Sequence, residues 1–404
     1  MRHTILSLSL VVLTACSATG KETGTSGGNA GSGGNGTGGI GGAQSTGGDF
    51  PAGVGGGAPK PTGTLAGKVV APEGTIPISG ALVYLTSTPP PAIPDGVYCD
   101  TCVTLSSGVP HAFSKPDGTF ELETYGAGEQ FLVVQKGQFR RVRPITITAG
   151  AMPADPTATR LPSRMDKAAG DDIPKMAILS GAWDDIGTSL VQLGIDADQI
   201  ATYGCQGFNC TSPFENYAEL SKFHIAFVPC SSCNSGGNGE IDNIRKFVGA
   251  GGKLYVTDWS YKWMDYGFPG YVDFELISSE GDACTVTEYD APATQMDPDL
   301  AAWLGAQGIT NPVFEKGYTR IKALHSVNTT DLEGQPTTVT PKTWISGQTP
   351  NGDRPLTISF EQQCGRVLFS TYHSESSTGL LPQELALLYV LLEVGVCIED
   401  PIPE

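Results

Sequence analysis

The stretch that decides the fold is FVGAGGKLYVTDWSY, residues 247–261. It closes an amphipathic run that begins near Glu240, and its glycines can adopt the positive φ that ends a helix. Residues 254–256 are apolar and typical of a short strand inside a parallel sheet. Asp258 and Trp259 follow the carboxyl end of that strand, where open α/β sheets bind ligands. The stretch therefore predicts both a buried strand and the position of a site.

Apolar runs and helical patterns alternate around this stretch. KMAILSG (175–181) and HIAFVPC (224–230) have the length of buried strands, and LTISFEQQCGRVLFSTYH (356–373) predicts a pair of strands. We expect residues 175–398 to form an α/β domain with a mostly parallel sheet and helices on both faces. Residues 267–353 lack a regular pattern, and we expect them to form a large irregular insertion near the carboxyl edge of the sheet.

The order of FVPC, FVGAGGKLYVTDWSY and GRVLFSTYHSE resembles the class I glutamine amidotransferase-like fold, a flavodoxin-like α/β unit. In that family the central strand leads to a nucleophilic cysteine, and a later strand ends in a His-x-Glu pair, which His373 and Glu375 match. The nucleophile position does not match, because Asp258 and its neighbours include no cysteine. Without a thiolate, acyl transfer from glutamine has no nucleophile. The resemblance therefore implies a degenerate domain, with Asp258, His373 and Glu375 as candidate catalytic residues.

These features favour a non-catalytic binding or scaffolding protein, and whether the chain is an enzyme stays open. The predicted ligand-binding residues are Cys230, Trp259 and Tyr261, since each lies at or after a strand end and two are aromatic. One alternative is a divergent hydrolase that uses Asp258 and His373. The alternative for His373 is a purely structural role, as a hydrogen-bonded residue at the end of a strand.

Short strands with turn residues between them fill residues 63–150, which predicts a small antiparallel β-sandwich. Their order resembles the carboxypeptidase regulatory-like family, a transthyretin-like sandwich, which implies an accessory module. We expect a multidomain chain in which this sandwich and a linker, residues 151–174, precede the flavodoxin-like α/β domain with its insertion. Carbohydrate binding by the sandwich is a further alternative, and it needs exposed aromatic side chains among Tyr84, Phe120, Tyr125 and Phe131.

The beginning of the chain predicts export. Residues 1–16 combine a basic start with a short apolar run and end in LTAC, which resembles the lipobox of bacterial lipoproteins and implies lipidation of Cys16. Ser17 fits outer-membrane sorting, and the Gly/Ser-rich residues 17–62 predict a disordered tether. A formal charge of −18 argues against nucleic acid. The expected partners are the membrane, through the lipid, and an envelope glycan or protein.

Exported cysteines form disulfides, and the sequence contains nine cysteines besides Cys16. We expect local bridges within close pairs and one longer bridge: Cys99–Cys102, Cys205–Cys210, Cys230–Cys233 and Cys364–Cys397. Redox activity is an alternative for Cys230–Cys233, and zinc is an alternative for the two C-x-x-C pairs. No other metal or cofactor motif is present in the sequence, so none is expected.

Overall fold

The computed structural model describes residues 60–100, 103–106, 108–206, 209–276, 282–374, 379–392 and 398–399. The predictions for Cys16, Cys102, Glu375, Cys397 and residues 17–59 of the tether fall outside these residues. The described chain is a sheet-rich, multi-sheet α/β protein with few helices. Within the described ranges, none of the helices has the length and apolar character needed to cross a bilayer.

The amino-terminal part is built almost entirely of strands. They are β1 (Gly63–Lys68), β2 (Leu82–Thr86), β3 (Val103–Thr104), β4 (His111–Phe113), β5 (Thr119–Thr124), β6 (Gly128–Lys136), β7 (Phe139–Ile147), β8 (Gly150–Pro153) and β9 (Asp171–Asp172), with one short helix, α1 (Pro156–Thr159). They form a three-stranded sheet, β5-β1-β8, and a five-stranded sheet, β4-β2-β6-β7-β9. Strand β5 alternates buried and exposed residues, so Phe120 and Leu122 share a core with Val83 and Val134 of the other sheet.

Two findings in this part differ from the sequence predictions. Residues 151–174, expected to be a linker, contribute most of β8, which pairs with β1, and all of β9, which pairs with β7. Tyr84 and Phe120 are buried, because both belong to packed strand faces. They are therefore not available as exposed carbohydrate-binding aromatics.

The remaining chain alternates strands and helices before it becomes rich in antiparallel strands. The elements are β10 (Met176–Leu179), α2 (Ile186–Gln192), β11 (Ile200–Tyr203), β12 (Cys205–Gln206), β13 (Asn209–Cys210), α3 (Tyr217–Leu220), β14 (Ile225–Val228), α4 (Asn238–Gly249), β15 (Lys253–Thr257), α5 (Tyr261–Gly267), β16 (Val272–Phe274), β17 (Tyr289–Met296), α6 (Pro298–Ala306), β18 (Val313–Gly317), β19 (Ile321–Leu324), β20 (Val327–Thr330), β21 (Pro336–Val339), β22 (Lys342–Thr349), β23 (Gly352–Gln362), β24 (Gly365–Ser370), α7 (Pro382–Leu392) and β25 (Ile398–Glu399).

Nine of these strands form the central sheet, in the order β11-β10-β14-β15-β24-β23-β22-β17-β18. The first five are mutually parallel, and counted along the chain their order is 2-1-3-4-5. The other four are antiparallel and three of them come from residues 267–353. The prediction that this segment is irregular is therefore wrong: its strands continue the sheet.

Both faces of the central sheet are covered, which is why β14 and β15 are buried along their whole length. On one face, side chains of α4 and α5 pack against Val228, Leu254 and Val256. On the other, α2, α7 and the amino-terminal sheets share one core with Ile178 and Phe227. Helix α4 buries residues at helical spacing, namely Ile241, Ile244, Phe247 and Val248. This burial explains why residues 247–261 begin at the end of a helix.

The loop between β2 and β4 packs under the amino-terminal ends of the parallel strands. The backbone of Tyr98 lies against Gly251, where φ is +109° and a Cβ would stand 1.8 Å from the Tyr98 carbonyl oxygen, so only glycine fits. Cys99 is disulfide-bonded to Cys364, in the turn between β23 and β24. The predicted bridges Cys99–Cys102 and Cys364–Cys397 are therefore wrong, because this loop docks on the α/β part instead of closing on itself.

Candidate functional site

Four neighbouring parallel strands end at one edge of the central sheet, here called the carboxyl edge. The residues that follow β10, β14, β15 and β24 include Trp183, Cys230, Asp258 and His373, respectively. The sheet order reverses between β10 and β14, and open α/β sheets bind ligands at such a point. The topology therefore gathers these side chains where a ligand site is expected.

Cys230, Asp258 and His373 form a compact buried cluster. The Cys230 Sγ atom, an Asp258 carboxylate oxygen and a ring nitrogen of His373 all lie within 4.8 Å of one another. His373 Nε2 is 3.0 Å from Asp258 Oδ2, an ion-pair distance. Cys230 is a free thiol. A thiol, an imidazole and a carboxylate in such contact can perform nucleophilic chemistry with a general base.

The backbone holds Asp258 in an unusual conformation. Its φ is +43°, which is uncommon for a residue other than glycine, and its side chain is fully buried. Asp258 Oδ1 accepts a hydrogen bond from the Thr319 N–H at 2.6 Å. The other carboxylate oxygen, Oδ2, is the one that faces the His373 imidazole. Lys316 at the same site also has positive φ, at +58°. Conformations of this kind cluster at functional sites because the surrounding structure must enforce them.

A second buried carboxylate, Asp184, connects the loops of the cluster. Asp184 Oδ2 accepts from the Thr257 hydroxyl at 2.5 Å, and that hydroxyl oxygen accepts from the Cys230 N–H at 2.7 Å. Asp184 Oδ1 accepts from the Ser374 N–H at 3.1 Å and from the Ser374 hydroxyl. The network thus fixes the residues beside Asp258 and His373 and the backbone of Cys230 itself.

Burial controls the protonation of these groups. It raises the pKa of the Cys230 thiol, and the Asp258 charge raises it further, against a smaller opposing effect of the Trp259 backbone N–H. Burial likewise raises the pKa of Asp258, although the His373 imidazole opposes the shift. The pKa of Asp184 is also raised by burial, against its hydrogen bonds to Ser374 and Thr257. Cys230 is therefore a neutral thiol at neutral pH and needs a base to react.

The cluster opens into a cavity of about 270 Å³, here called the site cavity. Its walls are aromatic: Trp259 Nε1 donates to the Thr285 carbonyl oxygen at 3.0 Å, and the Tyr318 ring stacks on His373 with centroids 5.3 Å apart. The Tyr318 hydroxyl donates to Glu288 at 2.7 Å, and this bond raises the pKa of Tyr318 to about 12. The described residues of the lining are Trp183, Cys230, Trp259, Val286, Glu288, Lys316, Tyr318 and His373.

The cysteines near the site pair differently from the prediction. Cys233 is bonded to Cys284, 51 residues later, and not to Cys230. The reason is topological: Cys230 follows the end of β14 and belongs to the cluster, whereas Cys233 lies further along the loop and meets the segment before β17. That disulfide joins two walls of the site cavity. Cys205, predicted to be bridged, is disulfide-bonded, and its backbone pairs with that of Cys210.

The other predicted residues divide into two groups. Trp259 lines the site cavity, as a ligand-binding residue would. Tyr261 does not, because its ring packs on Phe274 with centroids 4.5 Å apart and its hydroxyl donates to Asp282 at 2.5 Å. Sequence analysis missed Asp184 and Tyr318. Asp184 follows the first buried strand of the α/β part, which is a usable signal, but Tyr318 comes from the insertion and has none.

The cluster also contains atoms that suit a metal ion. A thiolate, an imidazole and a carboxylate are ligands that zinc accepts, and a cavity beside them supplies an open position. A second group in the described chain, Cys233, Asp282 and Cys284, is unsuitable because its two sulfurs form a disulfide. The Cys230 cluster is therefore the candidate for either nucleophilic or metal chemistry.

Fold and site together define an α/β protein with cysteine, histidine and aspartate gathered at the carboxyl edge of a parallel sheet. No protein-family model matches the chain, and no curated protein matches it. Among solved structures, a ThuA-like protein from Bacteroides uniformis is 12% identical over 54% of this chain and 88% of that chain, with a TM-score of 0.33.

Two further structures have similar values. A cytoplasmic protein from Salmonella typhimurium is 12% identical over 66% of this chain and 95% of that chain, with a TM-score of 0.30. A β-galactosidase from Bacillus circulans sp. alkalophilus is 13% identical over 54% of this chain, with a TM-score of 0.32. This chain spans only 30% of the length of that enzyme. At these TM-scores, none of the three similarities identifies a fold or a function.

Proposed function

We propose that this protein is a cysteine-dependent hydrolase of acyl groups, with Cys230 as nucleophile, His373 as general base and Asp258 as the residue that orients His373. The observation that carries the proposal is the free Cys230 thiol beside both the imidazole and the carboxylate. This replaces the expectation of a domain without a nucleophile, because the sulfur comes from the neighbouring strand end instead of the position of Asp258.

The reaction follows from the protonation states. The imidazole of His373 takes the proton of the Cys230 thiol as the sulfur attacks the acyl carbonyl carbon. Asp258, 3.0 Å from Nε2, stabilises the imidazolium that forms. The imidazolium then protonates the departing oxygen or nitrogen, leaving a thioester on Cys230. His373 next removes a proton from water as the water oxygen attacks the thioester carbon. The carbon–sulfur bond breaks, the acyl group leaves as a carboxylic acid, and the proton on His373 returns to the sulfur to restore the thiol.

The raised thiol pKa determines which kind of mechanism applies. A preformed thiolate is disfavoured, since burial and the Asp258 charge both act against it. Proton transfer to His373 must therefore accompany attack. Ester hydrolysis is therefore expected to require His373 as well as an accessible Cys230 sulfur.

The proposal is tested with p-nitrophenyl acetate and related small esters. We expect turnover by the unaltered protein and loss of turnover in Cys230→Ala and in His373→Ala. Ser235→Ala is the matched control, because Ser235 lies in the same loop and outside the site cavity. Hydrolysis that persists in Cys230→Ala would contradict a nucleophilic role. Activity that depends on added Zn²⁺ would identify the cluster as a metal site instead.

Non-catalytic ligand binding is the second candidate function. The specific observation in its favour is the raised pKa of the Cys230 thiol, since an inert thiol suits a binding pocket with aromatic walls. In this case Trp259→Ala would abolish binding of the glycan or partner, whereas Cys230→Ala would leave it unchanged, and no acyl substrate would turn over.

We also propose the finer architecture and the location that the sequence indicates: a carboxypeptidase regulatory-like sandwich before a flavodoxin-like, amidotransferase-like domain, anchored by a lipid on Cys16 to the outer membrane. The 2-1-3-4-5 order of the parallel strands and the disulfides support these proposals. Labelled palmitate in the unaltered protein, but not in Cys16→Ala, is the expected result in a bacterial host. Equal labelling of both would exclude the anchor.

A further inference from the structure

A second cavity, of about 650 Å³, lies at the carboxyl edge beside the site cavity. It is formed by the end of β10, the first turn of α2, and residues from β11 and the segment after β24. Its lining is Ile178, Ser180, Gly181, Ala182, Trp183, Asp184, Asp185, Ile186, Gly187, Thr188, Thr202 and Ser374. None of these residues belongs to the Cys230 cluster, so the proposed reaction leaves this cavity without a role.

Two features make the cavities neighbours. Trp183 lines both of them, and the residue is 61% exposed. In addition, His373 lines the site cavity while the next residue, Ser374, lines the second one. A ligand that reaches past Trp183 from the Cys230 sulfur therefore enters the second cavity.

The chemistry of the second cavity selects its ligand. Hydroxyl groups are supplied by Ser180, Thr188 and Thr202, and these can both donate and accept hydrogen bonds. Among the described residues of the lining there is no Lys or Arg to pair with an anionic group, and the exposed Asp185 carboxylate would repel one. The exposed ring of Trp183 offers a flat apolar face, of the kind on which a sugar ring packs. Hydroxyls and one aromatic face fit a neutral carbohydrate.

We propose that the second cavity binds the leaving group of the substrate, and that this group is a neutral carbohydrate. This inference deepens the proposed function and rests on it: the substrate becomes an acyl ester of a glycan, with the acyl group in the site cavity. Attack by the Cys230 sulfur breaks the bond between the acyl carbon and the sugar oxygen. The proton taken by His373 passes to that oxygen, and the glycan leaves as a free alcohol.

The test compares two substrates in one variant. Thr202 is exposed on the lining of the second cavity, so Thr202→Trp fills that cavity without touching the cluster. For mono-O-acetylated cellobiose, a neutral disaccharide ester, we expect KM to rise about tenfold, which corresponds to about 1.4 kcal/mol of binding. For p-nitrophenyl acetate, which is too small to reach the second cavity, we expect no change. Thr310→Trp, at an exposed position outside both cavities, is the matched control.

Each outcome decides the proposal. A KM for the disaccharide ester that is equal in Thr202→Trp and Thr310→Trp would overturn it, and so would a preference for an acetylated disaccharide carrying a uronic acid. A failure of the hydrolase proposal can be distinguished from a failure of the carbohydrate proposal by measuring binding without hydrolysis. Isothermal titration calorimetry measures the binding of unacetylated cellobiose to Cys230→Ala. Binding that Thr202→Trp abolishes in this background supports the carbohydrate site even if no ester is hydrolysed, and absence of binding counts against it.

Discussion

Asp258 shows at the scale of one residue how this site is built. Its φ of +43° and complete burial are both unfavourable for an isolated aspartate, and the Thr319 N–H and the His373 imidazole offset them. The same arrangement gives the carboxylate a defined direction toward the ring. The residue is therefore expected to act by orienting His373 and not as a nucleophile.

Asp258→Asn tests this role, because asparagine has the same shape and tolerates positive φ. We expect kcat for p-nitrophenyl acetate to fall by about 10²–10⁴-fold, since the amide cannot stabilise the imidazolium. Thermal unfolding should change little, and circular dichroism is the check that folding is retained. Unaltered kcat in the folded variant would show that the carboxylate has no part in the reaction.

Asp184 provides a test by pH. Its folded pKa is raised by burial, so the folded protein holds this proton more tightly than the unfolded chain does. The contribution of Asp184 to stability is therefore present at low pH and is lost as pH rises through its raised pKa, at about 1.4 kcal/mol for each unit of difference. Asp184→Asn removes that titration.

The difference in Tm between Asp184→Asn and the unaltered protein is the quantity to measure, across about pH 4 to pH 8. We expect the difference to move in favour of the variant as pH rises, because only the unaltered protein must ionise a buried carboxylate. A difference that stays constant, or moves the other way, would show that Asp184 is not held near its protonated state.

At the scale of elements, the site depends on the loop that follows β14 and on the segment that leads into β17. The Cys233–Cys284 disulfide joins the two, and Thr285 next to it accepts the hydrogen bond of Trp259. Val286 and Glu288, from the same segment, line the site cavity. The bridge therefore holds the aromatic wall against the strand end that carries the thiol.

Replacing both Cys233 and Cys284 with alanine should loosen this wall. We expect KM for p-nitrophenyl acetate to rise, with a loss of up to about 4 kcal/mol in the free energy of unfolding from the released 51-residue connection. Kinetics of the folded variant and urea unfolding measure the two effects. A stability loss with unchanged kinetics would mean that the bridge does not position the cavity.

At the scale of the whole molecule, the amino-terminal sheets and the α/β part share one core. Contacts between them include Trp303 Nε1, which donates to the Pro77 carbonyl oxygen at 2.6 Å, and the buried Lys253, 3.1 Å from Asp100. The Cys99–Cys364 disulfide reinforces this packing at the amino-terminal ends of the parallel strands, opposite the carboxyl edge. The disulfide that closes the longer connection therefore lies at the edge of the sheet opposite the cluster.

The paired substitution Cys99→Ala and Cys364→Ala should separate stability from chemistry. The disulfide closes a connection of 265 residues, so its loss is expected to cost about 5.6 kcal/mol in the chain-entropy description, more than loss of Cys233–Cys284. Ester hydrolysis below the unfolding temperature should be unchanged. Equal stability losses in the two paired variants, or lost activity in the folded protein, would contradict this division.

The local parts of the structure could be predicted from the sequence. The helix from Asn238, the strand from Lys253 and the meeting of Asp258 with His373 follow from periodicity and from the rule that parallel strands end at one edge. The disulfide partners could not be predicted, because Cys99 and Cys364 meet only after the two parts of the chain dock. For the same reason Tyr318, which belongs to a segment without regular pattern, was not expected beside His373.

The nucleophilic role of Cys230 is tested most directly by finding the residue to which an acyl group becomes attached. The unaltered protein is mixed with p-nitrophenyl acetate, quenched in acid and digested, and the peptide containing Cys230 is examined by mass spectrometry. We predict an acetyl group on Cys230 in the unaltered protein and much less in His373→Ala, which retains the thiol but lacks the base. Turnover without acetylation of Cys230, or equal labelling in both proteins, would contradict catalysis by Cys230 and His373.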